Sequence, residues 1–284
     1  MRFLVLGASG MAGHLIGLYL KEQGHEVTGF SRRSVSFLDC IKGDAQDEQL
    51  LSKTIGEGNF DVVINAVGVL NKAADNNPVA AYLNGELPHV LSRIVGSSDT
   101  RVFHMSTDCV FAGNTGPYTE ASKPDGESDY DRTKAAGELN DNHNLTFRNS
   151  IVGPDINENG IGLLNWFMKQ NGPINGFTGA IWTGLTTLEL AKAMEHEAAE
   201  DATGLVNMVP KGSINKYELL QLFNKELRGG AVEINPSDSL QLDKTLVRTN
   251  FKPTYMPKPY SDQVQEMAGW IRAHRDLYSH YEVI

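Results

Sequence analysis

Three glycines spaced three apart, Gly7, Gly10 and Gly13, stand directly behind the unbroken apolar run Phe3 to Leu6. A run of that length and character predicts a strand buried on both faces of a parallel sheet. His14 to Glu22 follows, and Leu15, Ile16, Leu18, Tyr19 and Leu20 give a helix there a broad apolar face. Strand, glycine turn and helix together predict a dinucleotide-binding loop, a reading that the bare glycine pattern would not support. Gly7 allows the tight turn, Gly10 lets backbone N–H groups approach a pyrophosphate, and Gly13 lets the helix pack closely on the strand. Ser9 and Met11 complete a loop that ends at the positive end of the helix.

The second strand, His25 to Phe30, ends in Ser31-Arg32-Arg33. A site for NAD places an acidic residue near here to hold the ribose 2′-hydroxyl, and none is present. Two guanidiniums suit a 2′-phosphate, so the expected cofactor is NADP(H), with NAD(H) as the alternative. A solvated basic turn is the plainer explanation of the same pair. Asp44, after a strand near Leu38 to Ile41, is placed to meet an adenine ring. The strand Asp61 to Asn65 runs into Asn65-Ala66-Val67-Gly68, whose small residues would let a cofactor lie against the backbone.

With 284 residues, 40% of them hydrophobic and 21% charged, the chain has ample material for a core. Its formal charge of −10 argues against a nucleic-acid partner. Cys40 and Cys109 alone build neither a disulfide framework nor a zinc ribbon, which suits a reducing cytoplasm. None of the eight histidines falls at a metal-ligand spacing, so no metal is expected. Neither a signal peptide nor an apolar stretch of membrane-spanning length is evident, so no membrane association is expected.

Strands and helices alternate onward. A long helix from Pro78 to about Val95, a strand Arg101 to Met105, a helix Asp129 to Asn140 and a strand Asn144 to Arg148 are expected. That order predicts an α/β fold with a Rossmann-like, doubly wound parallel sheet. Residues 1–153 read as the nucleotide-binding domain. Residues 154–284 read as a smaller α/β substrate region, non-contiguous, with some segments returning to the main sheet. Within it, helices are expected at Gly162–Gln170, Leu188–Ala199, Lys216–Leu227 and Asp262–Leu277, and strands near Leu205–Val209 and Ala231–Ile234. Ser213 is the expected cap of the Lys216 helix. Gly153-Pro154, Asn157–Gly160 and Ile174–Gly184, which holds Phe177 and Trp182, are candidates for a substrate lid.

Tyr130-Asp131-Arg132-Thr133-Lys134 carries the chemistry. Residues four apart share a helix face, so the phenol and the ammonium point the same way. A nearby ammonium favours phenolate, which predicts a lowered Tyr130 pKa and proton transfer near neutrality. Lys134 is also placed to reach cofactor ribose hydroxyls. Ser106-Thr107 lies at a parallel strand's carboxyl end, where ligands of such sheets bind, and the Thr107 hydroxyl can donate to a carbonyl oxygen gaining charge. Alone, such a Tyr-Lys pair is usually a surface pair and a strand-end Ser-Thr ordinary turn chemistry. Three features in register favour catalysis.

On these residues the chain resembles the extended short-chain dehydrogenase/reductases, and within them the dTDP-4-dehydrorhamnose reductase-like family of sugar-nucleotide 4-keto reductases. The resemblance is carried by Gly7 to Gly13, by Ser106-Thr107-Asp108-Cys109-Val110-Phe111-Ala112-Gly113, by Tyr130 to Lys134 with Ala135-Ala136-Gly137-Glu138, and by Arg148-Asn149-Ser150. It implies Thr107, Tyr130 and Lys134 as the catalytic set. It implies cofactor contacts from the glycine loop, Asp44, Asn65, Ala66, Val67, Gly68 and Ser106, with Tyr130 and Lys134 also touching cofactor. Substrate contacts are implied near Asp108 and Val110, with Trp182 added from the lid. The implied activity is NADPH-dependent reduction of a nucleotide-activated 4-keto-6-deoxy sugar for cell-surface polysaccharide precursors, and a homodimer is left open. Alternatives within the resemblance are an epimerase or dehydratase, and a non-catalytic subunit like the regulatory one of methionine adenosyltransferase. The chain departs from the family pattern at Cys109, where Tyr is common, at Asp131, where Gly is common, and at Ile151, where an aromatic is common. These positions touch the sugar pocket more than the cofactor.

Overall fold

The computed structural model describes residues 1–283. Its main sheet has seven strands, in the spatial order Gly204–Asn207, Leu145–Arg148, Arg101–Met105, Val62–Asn65, Arg2–Leu6, Glu26–Ser31 and Asp39–Lys42. Each neighbouring pair is parallel. Strand side chains alternate between faces, and the first strand shows why its run is unbroken. Phe3 and Val5 enter the core layer shared with Leu15, Ile16 and Leu190, while Leu4 and Leu6 enter the opposite layer with Leu51, Leu87 and Leu91. Helices Met11–Glu22 and Thr187–Ala199 pack together on the first face. Glu48–Gly58 and Leu87–Val95 cover the second. The fold is Rossmann-like α/β, as the alternation of elements predicts.

From Arg2–Leu6 the chain steps outward to Glu26–Ser31 and Asp39–Lys42, then crosses back to the other side of Arg2–Leu6 to form Val62–Asn65. Leu6 pairs with Phe30 on one side and Asn65 on the other. A crevice opens where the strand order reverses, outside the carboxyl ends, and the glycine loop sits at its mouth.

Beyond Arg148 the chain builds three small sheets beside the main one. Ser150–Val152 pairs with Gly184–Thr186, Ile174–Phe177 with Ile234–Ser237, and Ala180–Trp182 with both Ile214–Asn215 and Leu242–Asp243. Helices Leu163–Met168, Lys216–Arg228 and Tyr260–Ala273 complete this part. Strand Gly204–Asn207 returns to the edge of the main sheet beside Leu145–Arg148.

Several expected boundaries move. The Pro78 helix is not uniform: Pro78–Ala80 and Leu87–Val95 are α-helical, and Ala81–Glu86 between them is a π-helix. The helix from Asp129 stops at Ala136 rather than Asn140. Gly137 ends it, where a Cβ would stand 2.0 Å from the Asn84 carbonyl oxygen, and the Leu139 N–H bonds the Thr146 hydroxyl at 3.0 Å. The last of the expected helices ends at Ala273. The strand expected at Ala231–Ile234 begins at Ile234, because the Asn224 side chain takes both the N–H and the carbonyl of Val232. Ser213 does not cap the helix Lys216–Arg228. Asn215 does, in a capping box with Glu218. The segment Ile174–Gly184 is largely strand-paired and does not form a free lid.

Candidate functional site: a cleft at the sheet's carboxyl edge

The glycine turn has the backbone that its residues predict. Gly7 has φ of +82°, and a Cβ there would meet the Ala66 carbonyl oxygen at 2.9 Å. A Cβ on Gly13 would stand 2.2 Å from the Gly7 carbonyl oxygen, so the helix sits on the turn with no room for a side chain. Gly10 precedes helix Met11–Glu22 in extended backbone and offers no side-chain cap. The first N–H groups of the helix therefore lack a side-chain acceptor at the helix's positive end.

These residues border a cleft of about 450 Å³. Gly7, Ser9 and Gly10 form its floor, Arg32 and Asp44 one wall, and Ala66, Val67 and Gly68 another. Gly13, Met11, Arg33, Asn65, Ser106, Tyr130 and Lys134 do not line it. Gly13 is covered by the turn itself, and Asn65 is wholly buried, with its Oδ1 accepting from the Val67 N–H at 3.2 Å. Asn65 thus shapes the wall from behind. The Asp44 carboxylate accepts from the Gln46 N–H at 3.0 Å, which fixes the turn on that wall of the cleft.

Asn84 was not foreseen. It is fully buried in the π-helix, and its Oδ1 accepts from the Val69 N–H while its Nδ2 donates to the Val69 carbonyl, each at 2.9 Å. Its Nδ2 also reaches the Thr133 hydroxyl at 3.2 Å. The wall Val67–Val69 is thereby tied to the helix bearing Tyr130. Asn84-Gly85, two weak helix formers inside a helical stretch, was the available signal.

The strand Arg101–Met105 delivers Ser106 and Thr107 to the carboxyl edge. The Thr107 hydroxyl caps the short turn Asp108–Val110 by accepting from the Cys109 N–H at 3.1 Å, and it donates to Asp108 Oδ1 at 3.2 Å. Helix Asp129–Ala136 opens with a capping box between Ser128 and Asp131, which gives the departure at Asp131 a local reason. Tyr130 and Lys134 are the two buried residues of this helix, so the shared face is as expected. The Thr107 hydroxyl stands close enough to Tyr130 to favour its phenolate, but burial outweighs this and raises the phenol pKa.

That reverses the expectation of a lowered Tyr130 pKa. The ammonium is engaged elsewhere: Lys134 Nζ donates to the Met105 carbonyl at 2.6 Å. Burial pushes Lys134 down to about 8, against an opposing pull from Glu138. Glu138 in turn accepts from the Ser106 hydroxyl at 2.6 Å and pairs with Arg148. Sequence reasoning gave neither Glu138 nor Arg148 a role.

Val110 lies wholly inside a small core with Phe111, Tyr118, Val209 and Leu246, so its side chain cannot touch a substrate. Its carbonyl is already taken by the N–H groups of Asp125 and Gly126. Asp108 is buried beside the Ser150 and Thr107 hydroxyls, and burial raises its pKa. Trp182 is also buried, its indole N–H has no partner among the described residues, and Lys216 Nζ stands 5.2 Å from its ring centroid. Lys216 and Lys244, both near Asp108, were missed because no motif announces them. No group of three His, Cys, Asp or Glu able to hold a metal ion occurs among the described residues. No helix there is long and apolar enough to cross a membrane.

Comparison with known proteins agrees with this geometry. The chain is 33% identical over 143 residues to the probable low-salt glycan biosynthesis reductase of Haloferax volcanii, a match covering 49% of this chain and 48% of that protein. It is 25% identical over 278 residues to the dTDP-4-dehydrorhamnose reductase of Escherichia coli, covering 93% and 89% of the two chains. The chain spans about half the length of most curated relatives it matches. In fold it superposes on the dTDP-4-dehydrorhamnose reductase of Bacillus anthracis in complex with NADP, with a TM-score of 0.77 at 15% identity, over 94% of this chain and 98% of that one. The sequence profile of the family described as RmlD substrate binding domain matches residues 1–251. The chain belongs to the RmlD substrate binding domain family.

Proposed function

We propose that the protein is an NADP(H)-dependent reductase of a nucleotide-activated 4-keto-6-deoxy sugar, serving the synthesis of cell-surface polysaccharide precursors. The observation that carries this reading is the meeting of Thr107, Tyr130 and Lys134 at the carboxyl edge of the sheet, on elements that Asn84 ties to the wall of the dinucleotide cleft. Relatives named as dTDP-4-dehydrorhamnose reductases support the substrate class.

The cleft fits a dinucleotide. A glycine turn with no side chains over its backbone and an uncapped helix N-terminus suit a pyrophosphate. Arg32 on the adenosine wall suits a 2′-phosphate. When bound, the cofactor supplies hydride to the sugar carbonyl.

The chain's own residues handle the proton and the developing charge. Because burial raises its pKa, Tyr130 is a neutral phenol at physiological pH. That is the form that can give a proton to the carbonyl oxygen during reduction. The Thr107 hydroxyl, beside the phenol, turns its one proton from Asp108 to the same oxygen as charge develops. Lys134 holds positive charge beneath the pair and would hold cofactor ribose. Asp108 accepts from a substrate hydroxyl, and its buried position makes that bond selective.

The experiment is NADPH oxidation with dTDP- and UDP-linked 4-keto-6-deoxy sugars, with the product identified by NMR. Reduction at carbon 4 is the expected outcome. Absence of turnover across both nucleotides would remove the reading.

A further inference from the structure

Lys216 breaks a local rule. It is the first residue of helix Lys216–Arg228, where the positive end of the helix dipole disfavours a cation. Its Nζ lies over the Trp182 ring and makes no hydrogen bond or ion pair with a described residue. Burial lowers its pKa, and Asp108 offsets this only in part. An ammonium carries three donors and no acceptor, and leaving them unused in a half-buried wall costs free energy. Residues that violate local preferences in this way concentrate at functional sites.

Lys244 repeats the arrangement from another element. It follows the strand Leu242–Asp243, and its stem lies over Gly113, where a Cβ would stand 2.9 Å from Lys244 Cγ. The Lys244 ammonium also has no hydrogen bond or ion pair among the described residues, and it bears on Asp108 and Cys109. Two ammoniums therefore bear on the buried Asp108, with Asp131 the further carboxylate acting on the same neighbourhood. Neither ammonium is paired among the described residues, and both stand near Thr107 and Asp108 and apart from the glycine loop, where an anion can meet them.

We infer that Lys216 and Lys244 form a two-point clamp for the diphosphate of the nucleotide-linked substrate. This rests on the sugar-nucleotide reading above and extends it to named residues. Each ammonium takes a phosphate oxygen as a charge-assisted hydrogen bond. Trp182 supplies the apolar floor beneath the Lys216 ammonium, and Asp108 takes a sugar hydroxyl once the Thr107 hydroxyl turns away. The clamp belongs to the segments beyond residue 154, which thereby hold the substrate beside the catalytic edge.

The test is calorimetric titration of the full chain, saturated with NADPH to block the cofactor cleft, with dTDP, UDP and the bare nucleosides thymidine and uridine. K216M and K244M keep the aliphatic stem and remove the charge, and K216R restores it. Each Met variant should weaken the diphosphate that the wild type binds by about tenfold or more, since a hydrogen bond to a charged group is lost. The double variant should weaken it further and K216R should recover most of the affinity. NADPH affinity and the unfolding midpoint should stay at wild-type values. Wild-type affinity in both Met variants, or an equal loss for the nucleosides, overturns the clamp, as does a wild type that binds neither diphosphate. A wild type that shows the expected pattern but reduces no 4-keto sugar leaves the clamp standing and removes the reductase reading.

Discussion

Glu138 and Arg148 form a two-point ion pair sealed from solvent, with Arg148 Nε to Oε1 at 2.7 Å and its terminal nitrogen to Oε2 at 2.6 Å. The side chains are 7% and 2% exposed. The pair locks strand Leu145–Arg148 to the segment behind the Tyr130 helix, and the Ser106 hydroxyl leans on the same carboxylate. Removing one partner leaves the other charge buried and alone, which costs far more than the pair contributes. Glu138→Gln should therefore lower stability by about 3–5 kcal/mol in urea unfolding, by the usual cost of breaking a buried pair. A loss below 1 kcal/mol would mean that water reaches the arginine.

Tyr130 and Lys134 give a pH prediction with a definite sign. The Tyr130 phenol, raised by burial, keeps its proton far above neutrality. Lys134, lowered to about 8, loses its charge first as pH rises. The rate of reduction should be steady below that value and fall above it, following Lys134 and not the phenol. Lys134→Arg should move the alkaline limb upward by more than one pH unit, because a guanidinium stays charged. Tyr130→Phe should lower kcat by roughly 10²–10⁴-fold at all pH values while NADPH still binds. An alkaline limb that stays in place in the arginine variant would show that another group controls it.

The fold was legible because its signals are periodic. Phe3 to Leu6 can alternate between two core layers only in a sheet covered on both faces, and the three glycines can pack as they do only at a strand-to-helix turn. The chemistry was legible as far as spacing reaches. Tyr130 and Lys134 do share a buried face, but spacing carries no information on what else each group meets. The Met105 carbonyl claims the ammonium, and burial sets the phenol. Val110 sits in a recognised motif, yet the turn that Thr107 caps sends its side chain into the core. Lys216 and Lys244 are 28 residues apart in sequence and belong to different elements, and only the tertiary fold brings both to Asp108.

The two arginines after the second strand separate in the structure. Arg32 faces the cleft and Arg33 does not. Arg32→Ala should weaken NADPH by roughly tenfold while leaving NADH nearly unchanged, because only NADPH has the charged acceptor. Arg33→Ala should change either affinity by less than about twofold, the range of an exposed charge. Fluorescence titration with each cofactor separates the two. Equal losses of NADPH and NADH in Arg32→Ala would reject the 2′-phosphate assignment.

Asn84 links the cleft wall Val67–Val69 to the helix bearing Tyr130, and the link can be cut without changing either element. Its side chain satisfies both backbone groups of Val69 and one hydroxyl of the Tyr130 helix. Asn84→Ala leaves those groups to find water, at a cost of about 1–3 kcal/mol. The wall Val67–Val69 would then lose its tie, so NADPH affinity should fall together with stability. Asn84→Asp separates the two effects. An aspartate keeps the acceptor for the Val69 N–H but turns a second acceptor toward the Val69 carbonyl, which repels it. It should therefore weaken NADPH at least as much as the alanine does. If both variants lose stability but bind NADPH as the wild type does, the wall is held by the sheet alone and Asn84 serves only the packing of the π-helix.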